Sequence, residues 1–337
     1  MKQENKLLPG SLFCLLIGAA AWVMANYIPT VGKLIGGPVF AILLGMILAF
    51  WKRPSAMDAG ITFCSKKILQ YSIIFIGFGM NIRTVLATGG QSLAVMLCTI
   101  AASLLTAFLM GRALKVPGNT ATLIGVGTSI CGGSAIAATA PVIEADDREV
   151  AYSISTIFLF NILAVFIFPA LGRVFHMTDT GFGIWAGTAI NDTSSVVAAG
   201  FTFSDAAGEL ATIVKLTRTL MIIPITLALT VHRTWKRKQQ GTAAASNYSI
   251  VKIFPWFVLG FLLTAILNST GWIPSAASSW LNELGKFGIM VAMAGIGLNT
   301  NLKSLVKNGV RPIALGLCCW FVVAVVSLVV QHLLHLV

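Results

Sequence analysis

Apolar residues in this chain neither alternate nor follow one helical stripe. They come in runs of about 20, the length an α-helix needs to cross the hydrocarbon core of a bilayer, and short charged or Gly/Pro/Asn-rich breaks separate them. Eleven segments are predicted, near residues 9–28, 34–51, 66–82, 91–113, 119–143, 150–172, 181–201, 207–231, 250–269, 280–298 and 309–335. If each crosses once, Lys and Arg should gather in alternate connections. With the N-terminus in the cytoplasm, seventeen of the 23 fall inside, only Lys33, Arg83, Arg148 and Lys286 fall outside, and Lys215 and Arg218 lie within a span. This pattern predicts a cytoplasmic N-terminus and a periplasmic C-terminus for eleven spans. It treats residues 1–337 as one polytopic domain, with its longest cytoplasmic loop at about 232–249 and the acidic connection from Glu144 to Glu149 outside. The first segment follows Lys2 and Lys6 as a signal peptide would, but its apolar run is long for one, and it reads as a retained span; cleavage would leave ten.

Composition agrees. Of 337 residues 57% are hydrophobic and 10% charged, and the mean hydropathy is +0.88, which excludes both a soluble globule and a disordered chain. The net charge of +12 lies in short connections, with no basic helix and no aromatic platform, so it signals topology and not nucleic-acid binding. Six cysteines form no CxxC pair, and all but Cys64 fall well inside apolar runs, so neither a zinc site nor a disulfide framework is expected. Phosphate-binding and serine-nucleophile loops are absent, which argues against a nucleotide-driven pump and an esterase, and no cofactor is expected.

Gly77-Phe78-Gly79-Met80-Asn81 recurs as Gly295-Ile296-Gly297-Leu298-Asn299 at an offset of 218, and Pro38 with Phe40 matches Pro255 with Phe257 at 217. Spans two to four thus echo spans nine to eleven. A shift of seven crossings is odd, so the two copies would be inverted, as in many secondary transporters. Asn81 and Asn299 become candidates for a coupling-ion site, or else helix-end caps.

Two apolar segments carry polar, small-residue centres. The first reads Gly125-Val126-Gly127-Thr128-Ser129-Ile130-Cys131-Gly132-Gly133-Ser134 and the second Gly187-Thr188-Ala189-Ile190-Asn191-Asp192-Thr193-Ser194-Ser195. Non-helical backbone survives at membrane depth only where it lines a cavity or is packed in protein, so both predict broken or re-entrant helices. New half-helix N-termini would favour an anion, whereas unwound carbonyls and Asp192 would favour a sodium ion or a proton. Three residues apart on the eighth segment, Lys215 and Arg218 share a helix face. At the bilayer centre each costs about 2.5–3.5 kcal/mol, which demands a partner: Asp192, or a bound anion. One carboxylate cannot neutralise two cations, which favours the anion.

The stretch from Gly125 to Arg173, the run from Thr180 to Gly200 and the segment from Ala211 to Ile225 together resemble the YeiH-type family of bacterial inner-membrane proteins described as sulfate exporters. The resemblance covers most of the chain from about residue 30. It implies an inner-membrane protein of ten or eleven helices and an oxyanion substrate such as sulfate or an organosulfonate. A more distant similarity to inverted-repeat carriers with crossed broken helices fits the two interruptions, although the 218-residue offset does not map one onto the other.

The resulting expectation is an all-α, non-enzymatic secondary transporter, a monomer or an oligomer in the bilayer, that moves a small anion by alternating access. Its site would combine Thr128, Ser129, Cys131, Gly132, Gly133 and Ser134 with Thr188, Asn191, Thr193, Ser194, Ser195, Lys215 and Arg218, and Asp192 would exchange a proton or sodium ion. The alternative is a cation/proton antiporter with Asp192 as the ion ligand.

Overall fold

The computed structural model describes residues 4–28, 36–51, 53–239, 255–300 and 309–336, and all regular structure there is helical. In chain order the helices are α1 (Glu4–Tyr27), α2 (Gly37–Leu48), α3 (Ser55–Gly79), α4 (Ile82–Ala113), α5 (Gly118–Ser129), α6 (Gly133–Ile143), α7 (Asp147–Val174), α8 (Asp179–Ala189), α9 (Thr193–Phe203), α10 (Asp205–Leu220), α11 (Ile222–Gln239), α12 (Trp256–Ser269), α13 (Ser275–Asn299) and α14 (Val310–Leu333). Seven stretches are long and apolar enough to cross a membrane, and several shorter apolar helices accompany them. The chain is an all-α membrane protein. The expected loop at about 232–249 begins as helix up to Gln239; residues 240–254 lie outside the described residues.

Every one of the eleven apolar segments contains helix, but the fifth and seventh double back. In the fifth, α5 starts beside the start of α7, where Asn119 Nδ2 donates to Glu149 Oε2 at 3.1 Å. Its return arm α6 ends at Ile143, with three residues between it and α7, so both ends of this hairpin sit at the N-terminal end of α7. In the seventh, Ser204 Oγ donates to Asp179 Oδ1 at 2.5 Å, and the rings of Phe182 and Phe203 stack at 4.0 Å. Arg173, at the other end of α7, donates to Thr202 O at 2.6 Å. The α7 helix has 28 residues, about 42 Å at 1.5 Å per residue. The two hairpins therefore enter from opposite ends. Arms of 11 or 12 residues reach about 17 Å, half the membrane.

This changes the connections drawn from the sequence. Neither hairpin crosses, so the acidic stretch Glu144–Glu149 lies at the same end as Arg112 and Lys115, not at the opposite one, and two crossings leave the expected total.

The helices gather in two bundles. In one, α13 packs on α1, α2 and α3, and α12 packs on α3. Glycines let these backbones touch: Gly45 faces Gly297, and Gly10 faces Gly60. The second bundle holds α4, both hairpins, α7, α10, α11 and α14, with α4 against α14 and α10 against both arms of the second hairpin. Gly183 and Gly187 meet α10 near Ala207 and Val214, while Gly200 meets Gly208. One arm therefore runs parallel to α10 and the other antiparallel.

Candidate functional site

Each hairpin turns where the sequence can leave the helix. Gly132 has φ 67° and ψ −126°, a conformation open to glycine and strained for any other residue. In the second hairpin Ile190 and Asp192 are extended, and Asp192 caps α9 by accepting from Ser194 N at 3.0 Å. Ser194 Oγ also donates to Asp192 Oδ2. The tips meet: a Cβ on Gly132 would lie 3.6 Å from Asn161 Nδ2 and 3.8 Å from Asp192 Cα. From α7, Asn161 Oδ1 accepts from Asp192 N at 3.2 Å, so one asparagine holds the second turn and lies beside the first.

Lys215 and Arg218 lie against these tips with no exposed surface. The Lys215 ammonium donates to Ile130 O at 2.7 Å and Ile190 O at 3.1 Å. The Arg218 guanidinium donates to Ser129 O at 2.8 Å, Thr188 O at 2.6 Å and Ile190 O at 3.3 Å, and also to Thr128 O. These carbonyls end the inbound arms α5 and α8, where an unfinished helix leaves acceptors unpaired and its dipole is negative. Among the described residues no ion pair joins either cation to Asp192. The expected partner, a carboxylate or an anion, is replaced by five backbone carbonyls.

A cavity of about 420 Å³ lies between the bundles beside the tips, lined by Cys131 and Ser134, by Thr193, by Thr219 and Ile222, and by Gln70, Pro255 and Phe257 across the gap. The first residues of both outbound arms, α6 and α9, border it. No side chain caps the α6 N-terminus, and a Cβ on Gly133 would meet nothing within 4 Å. The uncapped N-terminus of α6 and the residues Ser134 and Thr193 thus border the open space, while the two cations stand behind the tips. A second cavity of about 410 Å³ lies between the bundles at the base of the other hairpin, lined by Phe201, Thr202 and Phe203 and by Glu283, Lys286 and Met290 of α13. There Lys286 Nζ of one bundle meets Asp205 Oδ2 of the other at 2.8 Å and Glu283 Oε1 at 3.0 Å.

The remaining predicted residues divide. Ser129 Oγ bonds back to Val126 O, and Thr188 Oγ1 bonds Ile184 O and Ser327 Oγ. Both therefore serve the fold, and Ser195 is buried in α9. Thr128 Oγ1 and both amide atoms of Asn191 are buried without partners. Asn81 caps α4 through Arg83 N at 2.9 Å. Asn299 ends α13 and accepts from Arg53 Nη2 at 3.2 Å. Since α3 and α13 run antiparallel, these two asparagines sit at opposite ends of the first bundle, away from the tips. Among the described residues no three His, Cys, Asp or Glu gather as a metal site.

Two features of the junction are not among the predicted ones. Asn161 stands alone in an apolar helix and signals nothing without its neighbours. The second was visible: Gly127-Thr128-Ser129-Ile130-Cys131-Gly132-Gly133-Ser134 aligns with Gly187-Thr188-Ala189-Ile190-Asn191-Asp192-Thr193-Ser194 at an offset of 60, sharing Gly, Thr, Ile and Ser. The two hairpin tips are thus alike in sequence, at a spacing unrelated to 218.

Residues 9–316 match the family described as conserved hypothetical protein 698. A UPF0324 membrane protein of Streptococcus mutans is 50% identical over 344 residues, covering 99% of each chain. One from Fusobacterium nucleatum is 44% identical over 351 residues, covering 98% of this chain and 99% of its own. One from Streptococcus pneumoniae is 48% identical over 333 residues, covering 96% of each. The chain belongs to this UPF0324 family of membrane proteins, which agrees with the YeiH-type resemblance of its motifs.

Proposed function

We propose that the protein is a secondary transporter that moves a small anion, of the sulfate or organosulfonate type that the family resemblance suggests, by alternating access. The observation that carries this reading is the pair of outbound half-helix N-termini at one cavity, backed by two buried cations against a single carboxylate. Dipole ends and net positive charge both favour an anion. In this reading Lys215 and Arg218 act from behind the tips. Substrate oxygens would meet the N–H groups of α6 and the hydroxyls of Ser134 and Thr193, beside the α9 N-terminus that Asp192 already caps. Asp192, which caps α9 at the cavity edge, is the group through which a coupling proton would act.

Two further observations support alternating access. The cavities of about 420 and 410 Å³ lie on opposite sides of the tips, each bordered by an outbound arm. The offsets of 218 and 60 also suit one inverted repeat in permuted chain order, in which α2, α3, α4, the first hairpin and α7 would pair with α12, α13, α14, the second hairpin and α10. The positive-inside count is unchanged, because Arg148 moves inside as Arg173 moves out, which favours an N-terminus in the cytoplasm of a bacterial inner membrane.

Proteoliposome uptake tests the reading, together with thermal stabilisation of purified protein across sulfate, sulfite, thiosulfate, organosulfonates, carboxylates and halides. Saturable uptake and stabilisation by one anion class are expected; proton or sodium exchange with no anion requirement would overturn it. That outcome would favour the second reading, a cation/proton antiporter, which the unpartnered amide of Asn191 beside Asp192 supports.

A further inference from the structure

Two hairpins that end in mid-membrane point the carbonyls of their inbound arms at each other, and such an arrangement repels itself unless positive charge lies between. Ile130 O and Ile190 O come from opposite hairpins and converge on one atom, Lys215 Nζ, at 2.7 and 3.1 Å. Arg218 takes Thr128 O, Ser129 O and Thr188 O beside it and reaches Ile190 O from the other side. Neutral oxygen donors gathered about a point of charge are also the environment in which hard free cations bind. Here both charges are tethered, fully buried, and carried by the same helix three residues apart.

We propose that Lys215 is a tethered ammonium occupying a monovalent-cation site between the hairpins. Assembly of the junction, and transport through it, would then need no sodium or potassium ion at this point. Removing the side chain would open a site for a free cation of the ammonium and alkali class. The vacated space would be bounded by two carbonyl oxygens, and a polar space of that size admits water or an ion, whereas an apolar one stays dry. Arg218 would remain fixed by its own carbonyls, Thr128 O and Ser129 O of one hairpin and Thr188 O of the other. The clause on transport rests on the reading of this junction as the transport centre; the clause on the cation site does not.

The experiment uses the full-length protein purified in detergent, in choline chloride at constant ionic strength, with choline replaced stepwise by ammonium, methylammonium, potassium or sodium. The unfolding midpoint of the wild type is expected to stay constant within about a degree in every salt. Lys215→Ala is expected to unfold at lower temperature and to recover, saturably, with ammonium or an alkali ion. Lys215→Met, which fills the space without charge, should be destabilised and show no recovery. Should Lys215→Ala fail to fold, Lys215→Ser is measured in its place, and the wild-type arm stands by itself. A saturable rise of the wild-type midpoint with sodium or potassium overturns the proposal, as does a small-residue variant that responds to these salts no differently from Lys215→Met. Anion uptake in choline and in sodium is measured beside it. Cation recovery without any anion uptake leaves the site in place and removes the transport reading; uptake that requires sodium at the junction does the reverse.

Discussion

Replacing Arg218 with alanine should damage the protein more than replacing Lys215, although both are buried cations on one helix. Arg218 donates to the carbonyls of Thr128, Ser129, Thr188 and Ile190. Ile190 O keeps Lys215 when Arg218 is removed, so three carbonyls lose their side-chain donor. At about 1–3 kcal/mol for each buried acceptor left unpaired, the cost is about 3–9 kcal/mol, offset in part because a buried charge is no longer desolvated. Removing Lys215 strands only Ile130 O, about 1–3 kcal/mol, since Ile190 O keeps Arg218. Proteins are stable by about 5–15 kcal/mol, so the first change approaches the whole margin and the second does not. Arg218→Lys keeps the charge without the planar fork and should fall between them. Thermal unfolding of the purified variants, with expression yield beside it, gives the ranking. An Arg218→Ala protein as stable as wild type, or more stable than Lys215→Ala, would refute the carbonyl-clamp reasoning.

Gly132→Ala should destabilise by about 1–3 kcal/mol, the usual cost of a side chain in a backbone region it avoids, while Gly133→Ala, with nothing within 4 Å of its added carbon, should leave the midpoint nearly unchanged; calorimetry or a dye-based melt compares them. Ser134→Cys should react with a membrane-impermeant thiol reagent added at the face of the first hairpin, and the transported anion should slow the reaction; equal rates from both faces would contradict the cavity's placement. Asp205→Asn removes an ion pair whose carboxylate is 70% exposed, so stability should change by less than about 1 kcal/mol. Because that pair ties the two bundles together, labelling of a cysteine at Thr202 from the second hairpin's face should nevertheless speed up; an unchanged rate would remove its role as a latch.

The membrane class and all eleven apolar segments were legible because bilayer thickness sets helix length whatever the packing. The breaks at Gly132 and Asp192 were legible for a related reason, that small polar residues in mid-span need a cause. What the sequence did not reveal was direction. A helix that breaks and continues has the same composition as one that breaks and returns, and the contacts that decide it, Asn119 with Glu149 and Ser204 with Asp179, join residues 30 and 25 positions apart. Charge counting did not help, since Arg148 and Arg173 exchange sides without altering the total. Lys215 and Arg218 were found by their cost, but their partners were not, because every residue carries a backbone carbonyl and only the fold shows which ones are left unpaired. Asn81 and Asn299 drew attention through a repeat, and their hydrogen bonds show helix ends.

The junction at Lys215 and Arg218 forms only if the two hairpins enter from opposite faces. Single cysteines at the exposed positions Gly118, Arg148, Thr180 and Ala206, in a background lacking the six native cysteines, can be labelled with an impermeant thiol reagent from each side of sealed vesicles. Positions 118 and 148 should react from one face and positions 180 and 206 from the other. Reaction of 118 and 148 from opposite faces, or of 180 and 206 from opposite faces, would mean that the helix between them crosses the membrane, and the central claim would be wrong.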